Sequence, residues 1–124
     1  MEQTRFEEIL NGFSKVRIAV VGDLFLDRIF YINRDWDEIS VETGLVAYQV
    51  CRRSCVPGAA GVITNNLYSL RTGPHWGVGV TGNDGEAFDL RKGLEETGCS
   101  TQYMVAEEGR FTPTYTKVFF DRPT

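Results

Sequence analysis

The chain is poor in the residues that build metal centres and disulfide scaffolds. It has one histidine and three cysteines, an odd count with none of the density of a disulfide-stapled domain. Cys51 and Cys55 stand four positions apart with no second ligand pair, so free, partly buried thiols are expected there. His75 follows Pro74 in a turn-like stretch and lacks a neighbouring serine or cysteine nucleophile, which argues against a catalytic histidine. Basic charge is also short: 13 lysines and arginines against 17 acids leave a net charge of −4. Sequence-independent duplex binding needs clustered cations, so nucleic acid is not an expected partner. No apolar run approaches the length of a membrane span, so no membrane partner is expected. The first ten residues carry three glutamates and no signal-peptide pattern, and a cytoplasmic protein is the expectation. Repeats, low-complexity tracts and Pro/Ser-rich linkers are missing too, so the 124 residues are read as one domain.

What is present is an alternation of helix and strand. Thr4-Arg-Phe-Glu7 has the form of a capping box. Phe6, Ile9, Leu10 and Phe13 follow at helical spacing, and Gly12 suits a C-terminal cap. Val16–Val21 is a short β-branched run and predicts an interior strand. Pro57 and Gly58 predict a small-residue turn opening a helix that presents Ile63, Leu67 and Leu70 on one face and stops at Gly73. Trp76–Val80 predicts a second strand. Asn83 or Asp84 caps a third helix with Ala87, Leu90 and Leu94 inward and Gly98 as its stop. Tyr103–Val105 predicts a third strand. This order implies neighbouring parallel strands joined by helical crossovers. Two segments fall outside it, Ile29–Val50 and the alternating Thr114–Phe120, and both suit a small secondary sheet.

Gly77-Val-Gly-Val-Thr-Gly82 matches the spacing of a dinucleotide-binding loop. That fingerprint needs a strand before it and a helix opening directly from it. Here the glycines lie inside the apolar run, so tight strand packing is the better reading. The acids after the first strand are harder to set aside. Asp23 and Asp27 follow Val16–Val21 and Gly22, where an open α/β sheet takes its ligands. The structural reading has Asp23 closing a turn and Asp27 pairing with Arg28 or Arg34. The functional reading has carboxylates accepting hydrogen bonds from sugar hydroxyls, beside a helix N-terminus that attracts anions.

The order of Val20-Val-Gly-Asp-Leu-Phe-Leu-Asp27, Glu38-Ile-Ser40, Pro57-Gly-Ala-Ala-Gly61, Val80-Thr-Gly-Asn-Asp-Gly85, Glu95-Glu-Thr-Gly98 and Thr112-Pro-Thr-Tyr-Thr-Lys117 resembles the first half of a PfkB-type, ribokinase-like carbohydrate kinase. Within that family it is most similar to the heptose-7-phosphate kinase branch, whose Ile-Ser-x-Glu segment is matched by Ile39-Ser40-Val41-Glu42. The resemblance implies a three-layer α/β/α fold with a parallel sheet and a small β lid near residues 29–50 and 114–120. It implies ATP-dependent phosphorylation of a sugar hydroxyl, with Mg²⁺, and a homo-oligomer formed through lid strands Ile29–Ile32, Leu45–Val50 and Thr114–Phe120. Asp27 matches the family's sugar-binding aspartate, with Asp23 beside it, and Gly58 and Ala59 match the Gly-Gly turn next to the sugar. Lys117, on the lid, suits a substrate phosphate by its charge.

Two departures stand out. The family's Gly-Gly-x-x-Asn reads Gly58-Ala-Ala-Gly-Val62, so a side chain that hydrogen-bonds the sugar is replaced by one that cannot. The family's catalytic aspartate lies in a Gly-x-Gly-Asp segment that occurs nowhere in these 124 residues, so no catalytic residue, nucleotide site or metal site is assigned. The expected function is therefore the substrate-binding part of a sugar or sugar-phosphate kinase. A non-enzymatic sugar-binding or dimerisation module is the second reading, and a nucleotide module on Gly77–Gly82 the third.

Overall fold

The computed structural model describes residues 3–121. Its elements are α1 (Gln3–Phe13), β1 (Ile18–Val21), β2 (Leu24–Asn33), a 3-10 turn (Arg34–Trp36), β3 (Glu38–Ile39), β4 (Val46–Ala47), β5 (Val50–Ala59), α2 (Ala60–Ser69), β6 (His75–Thr81), α3 (Gly85–Glu96), β7 (Cys99–Ala106) and β8 (Thr114–Asp121). The strands β1, β6 and β7 form one sheet in that order, and both pairings are parallel. The expected neighbouring parallel strands are thus the observed ones, with α2 and α3 in the connections. A second sheet has the order β5-β2-β8, with β2–β5 antiparallel and β2–β8 parallel. The strands β3 and β4 make a separate two-stranded hairpin.

The core lies where these parts meet. Val20, Leu24, Leu26, Ala60, Leu90, Leu94, Cys99 and Met104 form one buried cluster drawn from both larger sheets and from α2 and α3. The helix α3 presents Ala87, Leu90 and Leu94 inward, as their spacing predicts. In α2 the inward face is Ala60, Gly61 and Thr64, while Ile63 and Leu70 are exposed, which corrects the predicted face. The reason is close approach: a Cβ on Gly61 would lie 2.4 Å from Pro57 Cβ, so only small residues fit there. That helix ends at Ser69, before Gly73, whose Cβ would meet the carbonyl oxygens of Val16 and Ser14 at 2.5 and 2.6 Å.

Other boundaries also move. Thr4 is inside α1 rather than ahead of it, so the capping box does not form, and Gly12 is helical rather than a cap. The helix instead leaves through the Lys15 and Val16 N–H groups, which donate to the Gly12 and Phe13 carbonyls. That turn takes Val16 and starts β1 at Ile18. The helix α1 buries none of its residues, and Val21, Val80, Tyr103 and Val105 of the parallel sheet are exposed. Gly77 and Gly79 lie within β6, where added Cβ atoms would stand 3.4 and 3.3 Å from Leu24 Cδ1. They are packing glycines inside a strand, as expected for an apolar run of this kind.

Asp84 caps α3 and does a second job. One carboxylate oxygen accepts the Ala87 N–H at 2.8 Å and the other accepts the Thr112 N–H at 2.8 Å. Burial pushes the Asp84 pKa up, but the N–H groups of Thr112 and Ala87 outweigh it and hold the carboxyl below its usual range. A depressed folded-state pKa gives stability that is present above the ordinary carboxylate range and lost as pH falls through the folded value. Asp84→Ala is expected to cost about 1–2 kcal/mol at pH 7. The gap to wild type should narrow below about pH 4, read by urea unfolding at both pH values; an equal gap at both would exclude a charge-dependent cap.

Candidate functional site

Asp27 sits in the middle of β2, not in a loop after β1. The Gly22–Asp23 break separates the two strands, and β2 runs on into the second sheet. Along β2, Leu24 and Leu26 are buried while Phe25 and Asp27 point to the other face, as strand alternation requires. Asp27 stands opposite Val56 of β5 and Tyr115 of β8. Its partner is neither Arg28 nor Arg34: Lys117 Nζ donates to Asp27 Oδ1 at 3.3 Å. The Asp27 side chain is 29% exposed and that of Lys117 59%, so the pair is open to solvent and can be exchanged for a ligand's groups. Asp27 also borders a groove of about 330 Å³ against the first turns of α2, together with Val56, Pro57, Gly61, Val62 and Asn65.

Gly58 and Ala59 are strand residues rather than a turn. Gly58 lies opposite Phe25 and is buried, and a Cβ there would fall 2.2 Å from Phe25 Cε2. Ala59 carries the change of direction at φ 47°, ψ −112°, and α2 begins at the next residue. The Ala60 N–H donates to the Asp23 carbonyl at 3.0 Å, so one N-terminal amide of α2 is already taken. Asp23 itself is exposed and opens on a different hollow, of about 430 Å³, at the carboxyl ends of β1 and β6 with Tyr103 and Arg110. The structure therefore brings together Asp27, Lys117 and the Gly61–Val62 turn of α2, and sets Asp23 apart from them.

Val62 is half exposed on the groove wall, where it offers neither donor nor acceptor. Asn65, one turn further on, is the nearest amide on that wall; its i+3 spacing from Val62 is the signal that sequence reading could have used. The pairing of Lys117 with Asp27 had no such signal, since it depends on the β2–β8 register. His75 is buried at the start of β6, its Nδ1 3.4 Å from the Gly73 carbonyl oxygen. It borders an open hollow of about 700 Å³ at the amino ends of β6 and β7, the end of an open sheet that does not take ligands. Cys51, Cys55 and Cys99 are all free thiols. Among the described residues no three His, Cys, Asp or Glu side chains gather to hold a metal, and no helix is long and apolar enough to cross a membrane. The described side chains by themselves do not make up a Mg²⁺ site.

A parallel sheet β1-β6-β7 with helical crossovers, and a separate β5-β2-β8 sheet beside it, make up a ribokinase-like α/β fold. The fold matches ribokinase from Arabidopsis thaliana, solved with ribose and ATP, at a TM-score of 0.59 and 18% identity, over 82% of this chain and 31% of that one. In sequence, the chain is related to the bifunctional HldE proteins. It is 36% identical over 98 residues to that of Aliarcobacter butzleri, covering 79% of this chain and 20% of the relative. It is 34% identical over 119 residues to that of Citrifermentans bemidjiense, covering 95% of this chain and 24% of the relative. The chain thus spans about a fifth to a quarter of the length of these curated relatives. No family model matches it. The described residues build the parallel sheet, the helices α2 and α3 that join its strands, and a small second sheet.

Proposed function

We propose that this chain is the substrate-binding part of a sugar or sugar-phosphate kinase module, whose complete form phosphorylates a sugar hydroxyl with ATP and Mg²⁺. The observation that carries the reading is the Asp27–Lys117 pair beside the first turn of α2. A carboxylate with two acceptor oxygens suits two adjacent hydroxyls, and an ammonium next to it suits a phosphate. The relationship to HldE proteins and the fold shared with a ribokinase that holds ribose and ATP support the same class. The chain has no Gly-x-Gly-Asp segment, so the isolated 124 residues are expected to bind sugar without turning over ATP. A purely sugar-binding module is the second reading; Val62, standing where the family's asparagine would, favours it.

The test is calorimetry with heptose and pentose phosphates, then with ATP, on wild type and Asp27→Asn. The substitution keeps the shape and removes the charge and one acceptor. Charge-assisted bonds contribute about 1.5–3 kcal/mol, so sugar-phosphate affinity should fall on the order of tenfold to a hundredfold. Tight ATP binding, or sugar binding indifferent to Asp27, would move the site elsewhere.

We also propose that copies associate through the second sheet, in the cytoplasm. Its far end stacks Tyr31 on Phe119 with ring centroids 5.9 Å apart, and leaves Val118, Phe119 and Phe120 about half exposed. The strands β5 and β8 are both sheet edges, and such apolar edges invite pairing. Leu45–Val50 does not belong to this surface as a strand: β4 covers Val46–Ala47 in the hairpin, and β5 starts at Val50. A monomer whose sedimentation is independent of concentration would count against association.

A further inference from the structure

The near end of the same sheet holds an aromatic pair that the proposed reading does not use. Phe25 and Tyr115 lie with ring centroids 4.9 Å apart and planes tilted by 55°. They stand on the face that carries Asp27 and Lys117, in the next diagonal position of the β2–β8 pairing. Phe25 also lies down on Gly58. A Cβ at Gly58 would be 2.2, 2.7 and 2.8 Å from three of the Phe25 ring carbons, and Gly58 is buried beneath them. At the point where a Gly-Gly turn would offer backbone to a sugar, this chain offers aromatic carbon. Tyr115 extends that surface outward and is 61% exposed.

We infer that Phe25 and Tyr115 form a platform on which the ring of a pyranose phosphate lies, while Asp27 takes hydroxyls from its edge. This deepens the proposed function and rests on it. A pyranose carries hydroxyls around its rim and C–H groups across a face. Those C–H groups are weakly positive and meet the negative face of an aromatic ring favourably. The rim hydroxyls then reach the carboxylate two residues along β2, and a phosphate on the exocyclic end reaches Lys117. Val56 and Val62 give the groove beside Asp27 an apolar stretch, with Asn65 and Thr97 as its uncharged polar side chains, so the ring face adds a contact that the hydrogen bonds do not supply. The site therefore selects cyclic over open-chain polyol phosphates.

The experiment compares a heptose 7-phosphate with the open-chain heptitol phosphate made from it by borohydride reduction. The second keeps the phosphate and the hydroxyls but has no ring face. Wild type should bind the cyclic ligand about tenfold more tightly, and Tyr115→Ala should remove most of that preference while Tyr115→Phe keeps it. Saturation of protein aromatic protons should transfer to the sugar C–H signals in wild type. Should Tyr115→Ala fail to fold, the cyclic-to-open ratio and the saturation transfer in wild type decide alone. Equal affinity for the two ligands, or a Tyr115→Ala loss shared equally by both, would overturn the platform while leaving the Asp27 site in place. Failure of wild type to bind either ligand would instead sink the sugar-binding reading and the platform with it.

Discussion

Leu26→Ala is expected to destabilise the fold by about 3–5 kcal/mol, the upper part of the range for buried leucine truncations. Leu26 is fully buried and belongs to the one cluster that joins β2 to α3 and the parallel sheet. Its neighbours in that cluster, Leu90 and Leu94, are equally buried and sit on a helix capped at both ends, so the site has little freedom to collapse onto the cavity. Marginal stability of about 5–15 kcal/mol makes such a loss a large share of the total. Thermal unfolding followed by circular dichroism should show a fall in Tm well beyond that of a surface control such as Val41→Ala, where Val41 is wholly exposed. A fall no larger than the control's would mean that the second sheet folds without help from this cluster.

The same cluster explains which elements were legible in the sequence. The helix α3 was readable at every level: an acid at its start, Ala87, Leu90 and Leu94 on one face, and Gly98 at φ 71° beyond its end. The strand β6 was readable because its glycines interrupt an apolar run without ending it. The strand β5 was not, since Cys51-Arg-Arg-Ser-Cys55 shows no apolar pattern and Pro57 argues for a turn. It is an edge strand of the order β5-β2-β8, where a proline need not donate to a neighbour; its Arg53 finds Asp89 on α3, and its Arg52 lies over the Tyr31 ring. Helix α1 shows the opposite failure. Its apolar stripe predicts a buried face, yet Phe6, Ile9 and Leu10 remain exposed, because periodicity reports a face's character and not what covers it.

The candidate site divides in the same way. Asp27 was identifiable from its position after the first strand, but the strand it belongs to turned out to be a second one, in a second sheet. Its contact with Lys117 spans 90 residues and follows from parallel register, which no local pattern encodes. Asp23, four residues before Asp27, ended in a separate hollow because the chain breaks direction at Gly22 and Asp23 between the two strands.

The second large effect is expected at Arg28, the residue next to Asp27 and on the opposite face of β2. Its Nη1 lies 2.9 Å from Glu86 Oε1 and its Nη2 4.0 Å from Asp89 Oδ2, so it fastens the second sheet to α3. The three side chains are only 15%, 19% and 14% exposed. Burial alone would lower the Arg28 pKa, but Glu86 and Cys55 outweigh it and raise the value, so the guanidinium stays charged at any working pH. Arg28→Met keeps the length and removes the charge. Asp89 would retain Arg53 at 3.2 Å, whereas Glu86 would be left without a partner in a poorly hydrated place. Breaking a buried pair from one side costs about 3–5 kcal/mol; with Glu86 in the first turn of α3, where the helix dipole favours an acid, about 2–4 kcal/mol is expected here. The double variant Arg28→Met, Glu86→Leu should recover most of that loss, because it removes the stranded charge along with its partner. Denaturant unfolding of the four proteins in the cycle separates the two ideas: additive losses would mean that Arg28 and Glu86 do not act as a pair, and that something else holds the second sheet against α3.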